Sequence, residues 1–275
     1  MIIDAHQHFW QLARGDYDWL TPELAPLYRD FMPDDLIPLL SRNGVDGTIL
    51  VQAAPTVAET EFLLKIAENT PFVLGVVGWT DFAAPSASNE IQRLAKHPKL
   101  VGLRPMIQDI ADDAWMLRPE LTPAFEAMIE CDLAFDALVF PRHLPHLRAL
   151  LSYHPKLRAV IDHGAKPNIA DAQFKAWAND MEAIAKDSHA FCKLSGLLTE
   201  AGTDWTEAHV APYVAHLFEN FGPKRLVWGS DWPVLTLAST YDIWHTIASS
   251  FIPNDQARDL IFGSNAQDLY RHFTI

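Results

Sequence analysis

The sequence predicts a (β/α)8 barrel, a TIM barrel of the α/β class, built as a single domain over residues 1–275. Eight short apolar runs recur at intervals of a few tens of residues, and each is followed by a stretch with helical periodicity. The runs are continuous in Val, Ile, Leu, Gly and Ala, as strands buried on both faces of a parallel sheet must be. Most of them finish on a side chain able to bind, polarise or move protons, and such a barrel carries its site at those strand ends. A doubly wound open sheet is the alternative, but no glycine-rich nucleotide fingerprint follows any of the runs.

The first strand is Met1 to His8, where Asp4, His6 and His8 alternate with other residues. A regular strand would place all three on one face, with the imidazoles nearest its C-terminal end. His-x-His there is a bidentate platform for a divalent metal, since each neutral ring offers a lone pair. The plainer reading is two exposed histidines in an N-terminal turn. A long aromatic loop with Trp10, Tyr17, Trp19, Pro22 and Pro26 follows. A helix then opens at Pro33 and is stopped by Gly44. Thr48–Gln52 is the second strand, and Thr56-Val-Ala-Glu59 has the form of a capping box at the next helix start.

The alternation continues with strands at Phe72–Trp79, Leu100–Arg104, Leu133–Val139, Arg158–His163, Phe191–Ser195 and Leu226–Asp231. The helices between them fall near residues 89–96, 123–130, 143–152, 174–185 and 210–221. Two more, near 241–249 and 255–261, close the chain.

A formal net charge of −14, from 21 Lys and Arg against 35 Asp and Glu, argues against nucleic acid or an anionic membrane as partner. The chain has two cysteines, Cys131 and Cys192, too few for a disulfide framework. No apolar run approaches the ~18 residues of a membrane span, and the first strand leaves no room for a leader. A cytoplasmic enzyme is the expectation, with homo-oligomerisation left open.

Reading only the strand ends gives His6 and His8, Gln52, Trp79, Arg104, His163, Ser195 and Asp231. Asp4-Ala-His6-Gln-His8, Asp162-His163-Gly, Leu194-Ser195-Gly196, Trp228-Gly-Ser-Asp231-Trp-Pro and Phe262-Gly-Ser-Asn265 follow one another in this order. Together they resemble the amidohydrolase superfamily, most closely its amidohydrolase 2 branch, which includes sugar-lactone hydrolases of the L-fuconolactonase and L-rhamnonolactonase type. The resemblance covers essentially the whole chain. It implies a hydrolase that opens an aldonolactone to its hydroxy acid with an activated water at the barrel mouth. It also implies a metal site of His6, His8 and Asp231, three protein ligands with an open position, which suits zinc. Lactonases of this branch that act without metal keep the metal-independent alternative open.

The chain departs from the fuller pattern at two strands. The fourth ends in Arg104 instead of a bridging lysine, which argues against a binuclear centre. The fifth has no histidine at its end, and His143 follows several residues later. The second departure weakens the rival readings of a metal-dependent non-oxidative decarboxylase. A sugar-acid binding module without turnover is the non-enzymatic rival.

Asp231 is the candidate general base, and His163 the group to polarise the carbonyl or protonate the leaving oxygen. Arg104 offers a fixed cationic fork to an oxyanion. Gln52 would read hydroxyl groups, while Trp79 and Trp232 would cover a sugar face. Lys193 would pair with Asp4 or Asp136 inside the barrel, because a lone buried ammonium is costly. A neutral polyhydroxylated lactone fits this set better than a dicarboxylated one, since Arg104 is the single cation placed at a strand end.

Overall fold

The computed structural model describes residues 1–271. Eight parallel strands run in the order of the sequence: β1 (Ile3–Gln7), β2 (Gly47–Val51), β3 (Val73–Gly78), β4 (Leu100–Leu103), β5 (Ala134–Ala137), β6 (Ala159–Ile161), β7 (Phe191–Leu194) and β8 (Leu226–Trp228). At the mouth β8 returns to β1, where the Asp231 N–H donates to the His6 carbonyl (2.8 Å) and the His8 N–H to the Trp232 carbonyl (2.8 Å). The expected (β/α)8 barrel is therefore what the chain forms.

The helices that cover the strands begin with α1 (Pro33–Asn43), α2 (Val57–Glu68), α3 (Ala87–Leu94), α4 (Thr122–Glu130), α5 (Leu144–Tyr153) and α6 (Lys175–Asp187). After β7 come α7 (Leu197–Glu200) and α8 (Glu207–Phe221), and after β8 come α9 (Tyr241–Ser250), α10 (Asp255–Asp259) and α11 (Asn265–Leu269). Strand residues divide between two apolar layers. Ile3, Ile49, Val77, Val101, Val160 and Val227 fill the barrel interior, plugged at its N-terminal end by Leu269 and Tyr270. Leu50, Val76, Leu103, Phe135 and Ile161 face the helices instead. This division is the period-two alternation of a strand wall.

Two departures from that alternation matter for the mouth. The register of β1 shifts between Asp4 and Gln7. Ile3 and Ala5 point inward, so a regular pleat would turn His6 out. The bulge turns it back in. Asp4 consequently does not share a face with the histidines. It points outward, where its carboxylate accepts from Ser230 N–H (2.8 Å) and from the hydroxyl of Tyr241 on α9 (2.9 Å).

The Thr56 hydroxyl accepts from Glu59 N–H (3.0 Å), as the first half of a capping box requires. The second half is absent. The Glu59 carboxylate is turned away from the helix and accepts from Ala53 N–H (3.0 Å) and Ala54 N–H (2.7 Å), fixing the loop after β2. Trp19 from the long first loop donates its indole N–H to the Ala53 carbonyl (2.8 Å). That loop is thereby tied across the mouth.

Candidate active site

β1 brings His6 and His8 to the mouth, β6 brings Asp162 and His163, and the turn after β8 brings Asp231. His6 Nε2 lies 3.1 Å from His8 Nε2, and Asp231 Oδ1 lies 3.3 Å from His8 Nε2 and 3.6 Å from His6 Nε2. His163 Nε2 stands 3.9 Å from the same carboxylate oxygen. His163 gets there by a route that alternation does not describe. Ile161 faces the helices, but His163 adopts a left-handed backbone (φ 53°) and swings inward beside Asp162. Asp231 is also left-handed (φ 59°).

Two glycines make room for these rings. A Cβ on Gly229 would sit 2.7 Å from His6 Cβ, and one on Gly196 would sit 2.6 Å from His163 Nδ1. Gly196 also has φ 66°, so both space and backbone demand glycine there.

Hydrogen bonds on the far side of each ring set its orientation. His8 Nδ1 lies 2.8 Å from the Val51 carbonyl, an acceptor only, so it carries the proton and leaves a lone pair on Nε2. His163 Nδ1 pairs with the Ser195 hydroxyl (2.9 Å), which can donate or accept and so permits either tautomer. His6 Nδ1 lies 3.1 Å from the Lys193 ammonium, a donor only. Asp162 Oδ1 lies 3.6 Å from the same nitrogen and the Arg104 guanidinium 3.5 Å from Nε2, so the surroundings of His6, like those of His163, permit either tautomer.

Beneath the histidines is a buried charge network. Lys193 contacts Asp136 (2.5 Å) and Asp162 (2.9 Å), and Tyr270 donates its hydroxyl to Asp136 (2.8 Å). Arg104 pairs with Asp162 (3.2 Å) and donates to the Gln52 carbonyl. Lys193 therefore pairs with Asp136, one of the two partners expected for it, and with Asp162, which was not. Arg104 is both a barrel ion pair and a wall of the cavity.

Burial would raise the Asp231 carboxyl, but His163, His8 and His6 together hold it below the usual carboxylate range. It is ionised at neutral pH. Burial pushes the His163 imidazole down to about 4, against the opposing charges of Asp231 and Asp162. His8 is lowered by burial too. The centre is thus one carboxylate among neutral rings.

A cavity of about 220 Å³ opens above it, lined by His8, Arg104, His163, Lys166, Asp231 and Trp19 among others. The structure turns Gln52 and Trp232, both expected to touch substrate, away from this cavity. Gln52 is fully buried, and its amide donates to the Arg104 carbonyl (2.8 Å), so it braces the wall instead of reading a ligand. Trp232 packs edge-on against Phe9 and Phe31, behind the wall, because the strand closure turns its ring toward the helices. Trp79 lines an adjoining cavity that shares walls with this one. His143 starts a helical turn, accepts from Phe140 N–H (2.9 Å) and takes no part. Lys166 and the loop residues Gln108 and Asp109 line the cavity without a sequence signal, since loop geometry brings them there.

The amidohydrolase family model matches residues 3–272. The chain belongs to the amidohydrolase family. It is 49% identical to a Burkholderia ambifaria protein named L-fucono-1,5-lactonase, over 98% of this chain and 95% of that one. A Burkholderia multivorans protein of the same name is 36% identical over 87% of this chain and 84% of its own length. Among solved structures, an amidohydrolase from Burkholderia multivorans with bound zinc superposes with a TM-score of 0.93 at 34% identity. That match covers 98% of this chain and 99% of the other.

The donor set of this amidohydrolase suits such an ion. His6, His163 and Asp231 offer ligand atoms all within 4.8 Å of one another, and His8 lies within the spacing quoted above. Ligands about 2.0–2.1 Å from a tetrahedral zinc stand roughly 3.3 Å apart. His8 presents its lone pair already. His6 presents one on Nε2 when its proton sits on Nδ1, facing Asp162 Oδ1 at 3.6 Å.

Proposed function

We propose that this amidohydrolase opens a sugar lactone, with L-fucono-1,5-lactone as the leading substrate, to the hydroxy acid. The observation that carries this reading is the Asp231 carboxylate held among His6, His8 and His163 on a cavity floor, in a chain half identical to a protein of that name. Asp231 takes a proton from a water as it attacks the lactone carbonyl. The acyl–oxygen bond then breaks, and the same proton passes to the ring oxygen that leaves.

His163 would donate from Nε2 to the developing oxyanion when Ser195 donates to its Nδ1. Arg104 and Lys166 add positive potential along the same wall. A divalent ion, held by His6, His8 and Asp231, would polarise the carbonyl and lower the pKa of bound water, leaving the His163 Nε2 proton for the oxyanion. The decarboxylase reading needs a further histidine that the end of β5, Ala137-Leu138-Val139, does not supply.

Proton release measured with a pH indicator across neutral sugar lactones, with and without chelator, tests the reading. Acid release from L-fucono-1,5-lactone is the expected result. Lactone binding without acid release would favour a binding module, and carbon dioxide release from an aromatic acid would favour the decarboxylase.

A further inference from the structure

Beside the reaction cavity lies a second one of about 410 Å³, bounded by Trp79, Phe82, Pro105, Ile110 and Trp115. The two cavities share Trp19, Met106 and Asp109 as walls. The reaction cavity alone is smaller than the ~300 Å³ at which small-molecule sites usually begin, and the annex brings the combined space into that range. Its walls are mostly aromatic and aliphatic. Its charged groups are the carboxylates of Asp18, Asp81 and Asp109, and no cation lines it among the described residues. An anionic group would be repelled there, and hydrocarbon would be taken from water onto flat rings.

We propose that the annex receives an apolar substituent carried on the lactone ring, so that the protein also opens neutral lactones bearing a hydrocarbon side chain. The inference rests on the lactonase reading and extends its substrate class. The three shared walls set the annex directly against the reaction cavity, which favours a part of the substrate as its occupant. A lactone ring seated over Asp231 would have the annex on the side of Trp19 and Met106. The chemistry is unchanged: water adds to the acyl carbon, the acyl–oxygen bond breaks, and the ring oxygen leaves as a hydroxyl. The side chain takes no part in bond making and contributes binding alone.

The test is a series of δ-lactones with alkyl chains from methyl to pentyl, run beside L-fucono-1,5-lactone. The expected result is a rise in kcat/KM of about fourfold for each methylene buried. Ile110→Glu, which places a charge in the annex, should flatten the series while leaving the sugar lactone unaffected. A flat or falling series in an enzyme that turns over the sugar lactone would overturn the proposal. So would a gain from a second sugar ring without one from alkyl chains. Failure on every lactone, sugar included, would sink the parent reading instead.

Discussion

The Lys193 ammonium stands 3.1 Å from His6 Nδ1 and 2.5 Å from Asp136, in the barrel interior. It stands at the foot of a line of rings, with His6 Nε2 3.1 Å from His8 Nε2 and His8 donating to the Val51 carbonyl. Lys193→Met should leave Asp136 and Asp162 without their shared countercharge. Removing one partner of a buried ion group costs about 3–5 kcal/mol, read as a lower Tm. An unchanged melt would show that the network contributes little to holding the barrel.

Asp231→Asn should lower kcat at least ~100-fold, within the usual scale for a general base, with circular dichroism unchanged. Near-normal turnover would remove Asp231 from the mechanism.

Zinc affinity should fall at least about tenfold in His8→Ala and in Asp231→Asn, since each removes a directly placed donor. Calorimetric titration of the metal-free protein measures this. Equal affinity in both variants would place any ion elsewhere.

Gly196→Ala should cost about 100-fold in kcat/KM, because the new methyl would meet the His163 ring at 2.6 Å and displace it by a sizeable fraction of an ångström. Full activity would mean that His163 does not need its observed position.

Burial raises the Glu59 carboxyl to about 7 from an ordinary value of 4.5. Between those values the folded chain holds a proton that the unfolded chain has lost, so this group's contribution to stability falls as pH rises. The full difference is on the order of 3 kcal/mol. The Tm of Glu59→Gln relative to wild type should therefore improve from pH 5 to pH 8. A constant difference would show that Glu59 does not titrate in that window.

The strands were legible because a parallel barrel demands uninterrupted apolar runs; seven observed strands fall within the stretch read from them, and β2 starts one residue earlier, at Gly47. The cluster at the mouth was legible as far as residue type and strand position define it, which brought His6, His8, His163 and Asp231 into one list. What escaped was local geometry that breaks period two. The bulge in β1 turned Asp4 away from the histidines, and the left-handed turn at His163 brought Asp162 in with it. Glu59 has the spacing of a capping box, but two loop amides offered it better partners than its own helix. Trp232 and Trp79 are side chains whose sequence position fixes a height in the barrel but not the direction of the ring.

Asp4 and the backbone of Ser230 are 226 residues apart in the chain, yet their bond lies beside the reaction centre. A barrel is a ring, and here the seam of the ring is where the candidate centre sits. Asp231 can reach its histidines only once the last strand has docked against the first, so the candidate centre is assembled together with closure. A chain arrested before that final step would have a nearly complete wall and no working centre.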